Sequence, residues 1–324
     1  MGGGLFLVHL FDLAGLWLPK PFRQIRRGIS VSTNRLLQCV LGLTVAAASA
    51  ADAPKLTFKF TNANVPGASD TFVSEINNQG VMVGQYQDKK GALHGYILNG
   101  KKLTTLDDPN GTNTGATGIN FNGAIAVVGS YMNSSGSSVG FRYAPKTKKF
   151  TDIPSPEGSI SSYLGGMNDR GWIVGSYQDS NGISHGFLLR GKKYTTLDVP
   201  TAIGSQAYGI NNAGNITLTW LNSRGTYEGA LYNGKTYKII NVPGAGHRGS
   251  EASYINNEGD ITFWWFDSNG LIHGALRHGG ASYKFLYPKA VETYPNGVND
   301  RNTFVGQYQD AVNGPVSSFK ATFK

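Results

Sequence analysis

The sequence predicts an all-β fold, a six-bladed β-propeller with four antiparallel strands per blade, on three observations. An apolar residue, an asparagine and a tight turn recur at Asn77, Asn120, Asn168, Asn211, Asn256 and Asn299, at intervals of 43, 48, 43, 45 and 43 residues. That period marks a repeat architecture whose units bury their apolar faces only against neighbours. Each copy holds four short runs rich in Val, Ile, Thr, Tyr, Phe and Trp, divided by Asn-Gly or Asp-x-x-Gly turns suited to hairpins. The 44 glycines argue against long helices. Finally, the last copy stops after its third run, at 316–323, while 56–66 matches the fourth run of other copies, such as 236–243. An N-terminal strand that completes the last blade closes the ring and removes exposed sheet edges.

Taken in order, residues 1–50 stand apart as a leader. Arg23, Arg26, Arg27 and Arg35 precede an apolar run at 36–48 and the tripeptide Ala48-Ser49-Ala50. This pattern predicts a secretory signal cleaved before Ala51, with a run too short to span a bilayer. The leader is long for its kind, so translation is expected to start near Val31. Residues 51–324 then form a single propeller domain: the closing strand, followed by six copies of the repeat. Export predicts a secreted or periplasmic location. The only cysteine, Cys39, lies in the leader, so the mature chain has no disulfide.

The formal charge is +9, and the leader's five basic residues and one acid leave about +5 for the mature chain. Its lysine pairs, such as Lys101-Lys102 and Lys192-Lys193, sit beside turns and read as a solvated rim. A nucleic-acid site would need clustered bases with interleaved aromatics on one face, so nucleic acid is not an expected partner.

Within the repeat, Asn-x-x-Gly, an aromatic, Asp-x-x-Gly-x-x-His-Gly-Phe and Asp-x-Pro follow one another, with His94-Gly95-Tyr96, His185-Gly186-Phe187 and His273-Gly274-Ala275 as its clearest copies. This string resembles the bacterial extracellular repeats of the HAF family over residues 56–324. The histidine becomes Val139, Glu228 and Ser317 in the other copies, and the family's middle alanine is glycine here. The resemblance implies export and repetition and brings no enzymatic activity with it.

Three repeated columns could carry chemistry, and each has a packing explanation. The aromatics Tyr86, Tyr131, Tyr177, Trp220, Trp265 and Tyr308 suit sugar faces, yet a six-fold repeat points to wedges between blades. His94, His185 and His273 are too far apart in the fold to share a metal ion, and a hydrogen bond to a turn carbonyl accounts for them. Asp88, Asp179, Asp267 and Asp310, with Asn222, lack the further acids of a calcium loop and read as turn caps. No metal or cofactor is expected.

Departures from the repeat are better site candidates. Glu75 and Tyr254 replace glycine in the column of Gly118, Gly166, Gly209 and Gly297. The loop entering the fifth blade adds His247, Arg248 and Glu251, and Trp264, Trp265 and Tyr294 could give it aromatic walls. These residues predict a ligand site at one rim of a monomeric, non-catalytic binding module, with a polysaccharide or a cell-envelope or secreted protein as partner. The alternative is an extracytoplasmic polysaccharide hydrolase or lyase, with Glu75, Glu251 and His247 as acid and base.

Overall fold

A computed structural model describes residues 56–122 and 125–324. The expected leader and its cleavage site lie outside the described residues. Six four-stranded antiparallel sheets follow one another around a ring. The first blade runs from its innermost strand, Asp70–Ile76, through Met82–Gln87 and Leu93–Asn99 to its outermost strand, Lys102–Leu106. Blades two to five repeat this order from innermost strands at Thr112–Ile119, Ser161–Met167, Gly204–Ile210 and Ser250–Ile255. In the sixth, Glu292–Asn299, Thr303–Gln309 and Ser317–Phe323 are completed by the N-terminal strand Phe58–Asn62. Its register pairs Phe58 with Phe323 and Asn62 with Phe319. The clasp is aromatic: Phe60 lies 5.4 Å from Phe319 and 5.3 Å from Tyr287, ring centre to ring centre.

Each blade is a sheet with two buried faces, and its apolar residues pack against the next blade. Val83 and Ile97 of blade one meet Val127 and Phe141 of blade two. The repeated asparagine ties the inner strands together. Asn168, Asn211, Asn256 and Asn299 each donate Nδ2–H to the carbonyl of the motif asparagine in the following blade, at 2.8–3.1 Å, the last reaching Asn77. The Oδ1 of Asn77, Asn168 and Asn299 meanwhile accepts from the N–H groups two and four residues on. The side chains one residue on, or two in the second blade, make a second circuit, in which Asn78, Asn122, Asp169, Asn212, Asn257 and Asp300 each bond to their neighbours around the axis. Buried polar groups persist when so paired.

Strand alternation gives the ring two distinct sides. Turns from the innermost to the second strand, and from the third to the outermost, share one side, here the lower. Second-to-third turns and the loops between blades share the upper side. The predicted ligand loop, 240–249, is on the upper side.

Candidate functional site

At the axis, all six innermost strands carry a register shift near the motif asparagine. The backbones crowd there. A Cβ on Gly297 would stand 2.5 Å from Glu75 Cα, which explains the glycine column. Glu75 and Tyr254 break the column because they fill the channel. Glu75 is buried, accepts the Ile119 N–H at 2.6 Å, and has its carboxyl held well above the usual range by burial. Tyr254 reaches across to the opposite blade, where its hydroxyl donates to the Thr117 carbonyl at 3.0 Å. Burial first, and Glu75 to a lesser extent, raises the phenols of Tyr254 and Tyr163, so these groups share one low-dielectric plug.

Arg248 and Glu251 form a second group, nearer the upper rim. The loop is fixed by the Tyr227 N–H donating to the Arg248 carbonyl at 3.0 Å, and by Gly249 at φ +84°, where a side chain would collide with the Tyr227 carbonyl. The Arg248 guanidinium stacks 4.1 Å from the centre of the Phe266 ring. Burial pushes the Glu251 carboxyl up to about 7, against the pull of Arg248. Tyr227 is raised to about 12, by burial first and then by Glu251. His247 is exposed, and its carbonyl accepts from the Thr226 hydroxyl.

Of the expected aromatic walls, Trp264 and Tyr294 stay beside Glu251 and Trp265 does not. Trp264 and Trp265 are consecutive on a strand and point to opposite faces of blade five. Trp264 donates its indole N–H to the Pro295 carbonyl at 2.8 Å and meets Tyr294 edge-on at 5.5 Å. The Tyr294 hydroxyl donates to Glu292 at 2.8 Å. Trp265 lies instead beside His273, under the Lys284 ammonium at 3.8 Å, and donates to the Gly274 carbonyl. Trp264 thus stays with Glu251, its cross-strand neighbour, and with Tyr294, whereas Trp265 faces away from that group.

The repeated columns resolve in the same way, with one correction. His94 and His185 bond Asp107 and Asp198 through Nδ1 at 2.8 and 2.9 Å, and His273 bonds Asp267 at 3.1 Å. Their partners are carboxylates, not turn carbonyls, because the Asp-x-Pro segment brings an acid opposite the ring in blades one and three. Asp88, Asp179, Asp267 and Asn222 each accept two backbone N–H groups of their own turn, as caps. Among the described residues no group of three or more His, Cys, Asp or Glu is arranged to hold a metal.

The sequence reading missed a cavity of about 210 Å³ between blades three and four on the upper side. Trp220, Tyr227, Gln178, Gln206, Ile183 and Ile203 are among its lining residues, and none of the lining is charged. Ile183 and Ile203 stand at its mouth, 44 % and 54 % exposed. Gln206 is held by the Tyr208 hydroxyl, which donates to its Oε1 at 2.6 Å, and Gln178 accepts from Ser161 at 3.2 Å. Tyr227 joins this cavity to the Arg248 and Glu251 group. Trp220 is the exception in its column. Tyr86, Tyr131, Tyr177 and Trp265 bond Thr105, Asp152, Thr196 and Gly274, and Tyr308 stacks on Tyr287 with ring centres 3.8 Å apart. The Trp220 indole N–H, buried, has no acceptor among the described residues. The signal was present in the sequence: tryptophan stands where most copies have tyrosine, and Glu228 faces it where alternate copies have histidine.

No protein-family model and no curated protein matches the chain. Among solved structures, the SapL1 lectin in complex with α-methyl fucoside has a TM-score of 0.53 and 9 % identity, covering 78 % of this chain and 93 % of its own. AofleA from Arthrobotrys oligospora has a TM-score of 0.51 and 12 % identity over 83 % of this chain and 92 % of its own. The six-bladed lectin of Aleuria aurantia, described with a novel fucose recognition mode, has a TM-score of 0.51 and 13 % identity, covering 80 % and 93 %. At such identities the likeness establishes the fold.

Proposed function

We propose that the chain is an exported, non-catalytic carbohydrate-binding propeller that holds one neutral sugar ring in the cavity between blades three and four. The observation that carries this reading is the cavity itself, uncharged and walled by Trp220 and Tyr227, with Trp220 the one member of its aromatic column whose indole N–H is closed off without an acceptor among the described residues. An unmet buried donor costs about 1–3 kcal/mol, and such a cost persists where a ligand can relieve it. The surroundings suit a sugar. Two aromatics and several aliphatic side chains offer apolar surface to a ring face, while Gln178, Gln206 and Ser184 offer hydrogen bonds to hydroxyls. The volume fits a single ring, and the uncharged lining favours a neutral one. On this reading Arg248 and His247, beyond Tyr227, meet the remainder of a longer glycan. Fucose-bound propeller lectins among the structures of like fold, and the resemblance to extracellular HAF repeats, support binding and export respectively.

A glycan array probed with the wild-type chain and with Trp220→Ala tests this, with circular dichroism and melting as checks of folding. Binding to neutral glycans that the variant loses while remaining folded is the expected result. Equal binding by both proteins, or none by either, overturns the assignment.

One feature favours the hydrolytic alternative: burial pushes the Glu251 carboxyl up to about 7, within the range that suits a general acid. Its proposed partner Glu75 is sealed inside the channel plug, 4 % exposed, and Glu251 is itself only 6 % exposed, so on this reading Glu251 acts without Glu75 and only once its surroundings open to the substrate. Glycan cleavage by the wild-type chain that Glu251→Gln abolishes would establish this second reading.

A further inference from the structure

The charges are sorted between the two sides of the ring. In blades one to four, the lower-side turns from third to outermost strand, counted with one strand residue at each end, carry nine Lys and Arg and no acid. Lys101, Lys102, Lys148, Lys192 and Lys235 are among them, all exposed. With the innermost-to-second turns and the other two blades included, the lower-side turns among the described residues, Lys324 counted with them, carry twelve Lys and Arg against four acids (Asp169, Glu258, Asp260 and Asp300), whereas the upper-side loops of all six blades carry ten acids against five Lys and Arg. The mild net charge therefore conceals a molecule with one basic side and one acidic side.

Apolar exposure is sorted the other way. Of the seven exposed large apolar side chains among the described residues, Met132, Ile160, Ile183, Ile203, Leu286 and Val312 lie in or beside upper-side loops, and Ile239 lies on an outermost strand. None is at the lysine-bearing turns. An aromatic of the lower side, Trp172, is clamped between Arg170 and Arg190, whose guanidinium carbons lie 5.1 and 3.9 Å from its ring centre.

We infer that the lower side is a docking surface for an anionic lipid bilayer, bound by adsorption without insertion. The lysines sit on separate blades at the circumference of the ring. A linear polyanion, with charges fixed along one chain, would have to bend to follow that arc. Lipid headgroups diffuse laterally and can meet each lysine where it stands. The opposite charge of the upper side orients the molecule, because the anionic surface repels that face. The clamped indole adds the ring type favoured at bilayer interfaces. No helix among the described residues is long and apolar enough to cross a membrane, in keeping with attachment from one side. A chain so attached would direct the cavity between blades three and four away from the membrane. The inference rests on charge placement and does not depend on the sugar site.

Each Lys or Arg near an anionic surface contributes about five-fold in partitioning, and the contribution is screened by salt. Co-sedimentation with vesicles of phosphatidylcholine, alone or mixed equally with phosphatidylglycerol, is the test. The lower-side variant Lys101→Glu/Lys192→Glu/Lys235→Glu is compared with the upper-side variant Lys89→Glu/Lys90→Glu/Arg224→Glu, which has the same net charge. Both keep residues 1–50 unaltered, so any contribution of that segment cancels. The wild-type chain should bind only the anionic vesicles, the lower-side variant should lose at least about a hundred-fold in partitioning, and the upper-side variant should bind as well as the wild type. Equal losses in the two variants, or no wild-type binding to anionic vesicles, overturn the inference. Side-dependent binding to duplex DNA or heparin without vesicle binding overturns it in favour of a linear polyanion.

Discussion

Replacing Glu251 by glutamine should stabilise the protein above neutral pH and leave it unchanged in acid. Glu251 is 6 % exposed, and burial raises its carboxyl from an ordinary value of 4.5 to about 7. A carboxyl raised on folding makes the folded state the better proton acceptor. Its favourable contribution is therefore complete below about pH 4.5 and is lost as pH rises through 7. The shift corresponds to about 3 kcal/mol. Glutamine keeps the shape and the hydrogen-bonding capacity without the charge, so it escapes that loss. Arg248 loses a partner, but its stacking on Phe266 remains. Thermal melts of both proteins from pH 4 to pH 8 should coincide at the acid end and separate by roughly 5–10 °C at the alkaline end, with the variant higher. A separation that does not change with pH, or a variant that melts lower at pH 8, would refute the buried-carboxyl reasoning.

Other perturbations test the architecture. Phe60→Ala removes the centre of the aromatic clasp and should cost about 2–4 kcal/mol in denaturant melts, with early proteolysis near the N-terminal strand. Gly297→Ala places a methyl 2.5 Å from Glu75 Cα and should cost at least about 1–3 kcal/mol, whereas Gly100→Ala, at an exposed turn with open space and φ +59°, should cost about 1 kcal/mol. Asn256→Ala leaves the Asn299 carbonyl and the Asp260 N–H without their partners and should cost at least about 2 kcal/mol. Asn233→Ala, which removes only a cap on an exposed hairpin, should cost less than about 1 kcal/mol.

The architecture was legible because the features that build it recur. The six asparagines mark six inner turns, and the run before Pro66 repeats the run before Pro243, so blade number and closure could be read by comparing copies. The reason for the asparagine was not legible, since its bond to the next blade spans more than forty residues. Departures from the repeat located unusual positions without revealing their depth. Glu75 and Tyr254 stood out as exceptions to the glycine column, but the sequence carries no sign that they fill the axis. Arg248 and Glu251 were placed together by five-residue proximity, and the structure keeps them together. Trp264 joins them as the cross-strand neighbour of Glu251, but Trp265 does not, because strand geometry sends consecutive residues to opposite faces. The cavity escaped because Gln178, Gln206, Ile183 and Ile203 come from two blades and belong to no conspicuous motif. The charge sorting escaped because lysine pairs were judged one turn at a time, before strand alternation assigned those turns to one side.

The sugar site can be tested most directly by a crystal structure of the protein soaked with the neutral glycan that binds best on the array. The account predicts one sugar ring between blades three and four, against Trp220 and Tyr227, with an oxygen or a bridging water accepting from the Trp220 indole N–H. A ring bound elsewhere, or a cavity that stays empty while the protein binds the glycan in solution, would contradict it.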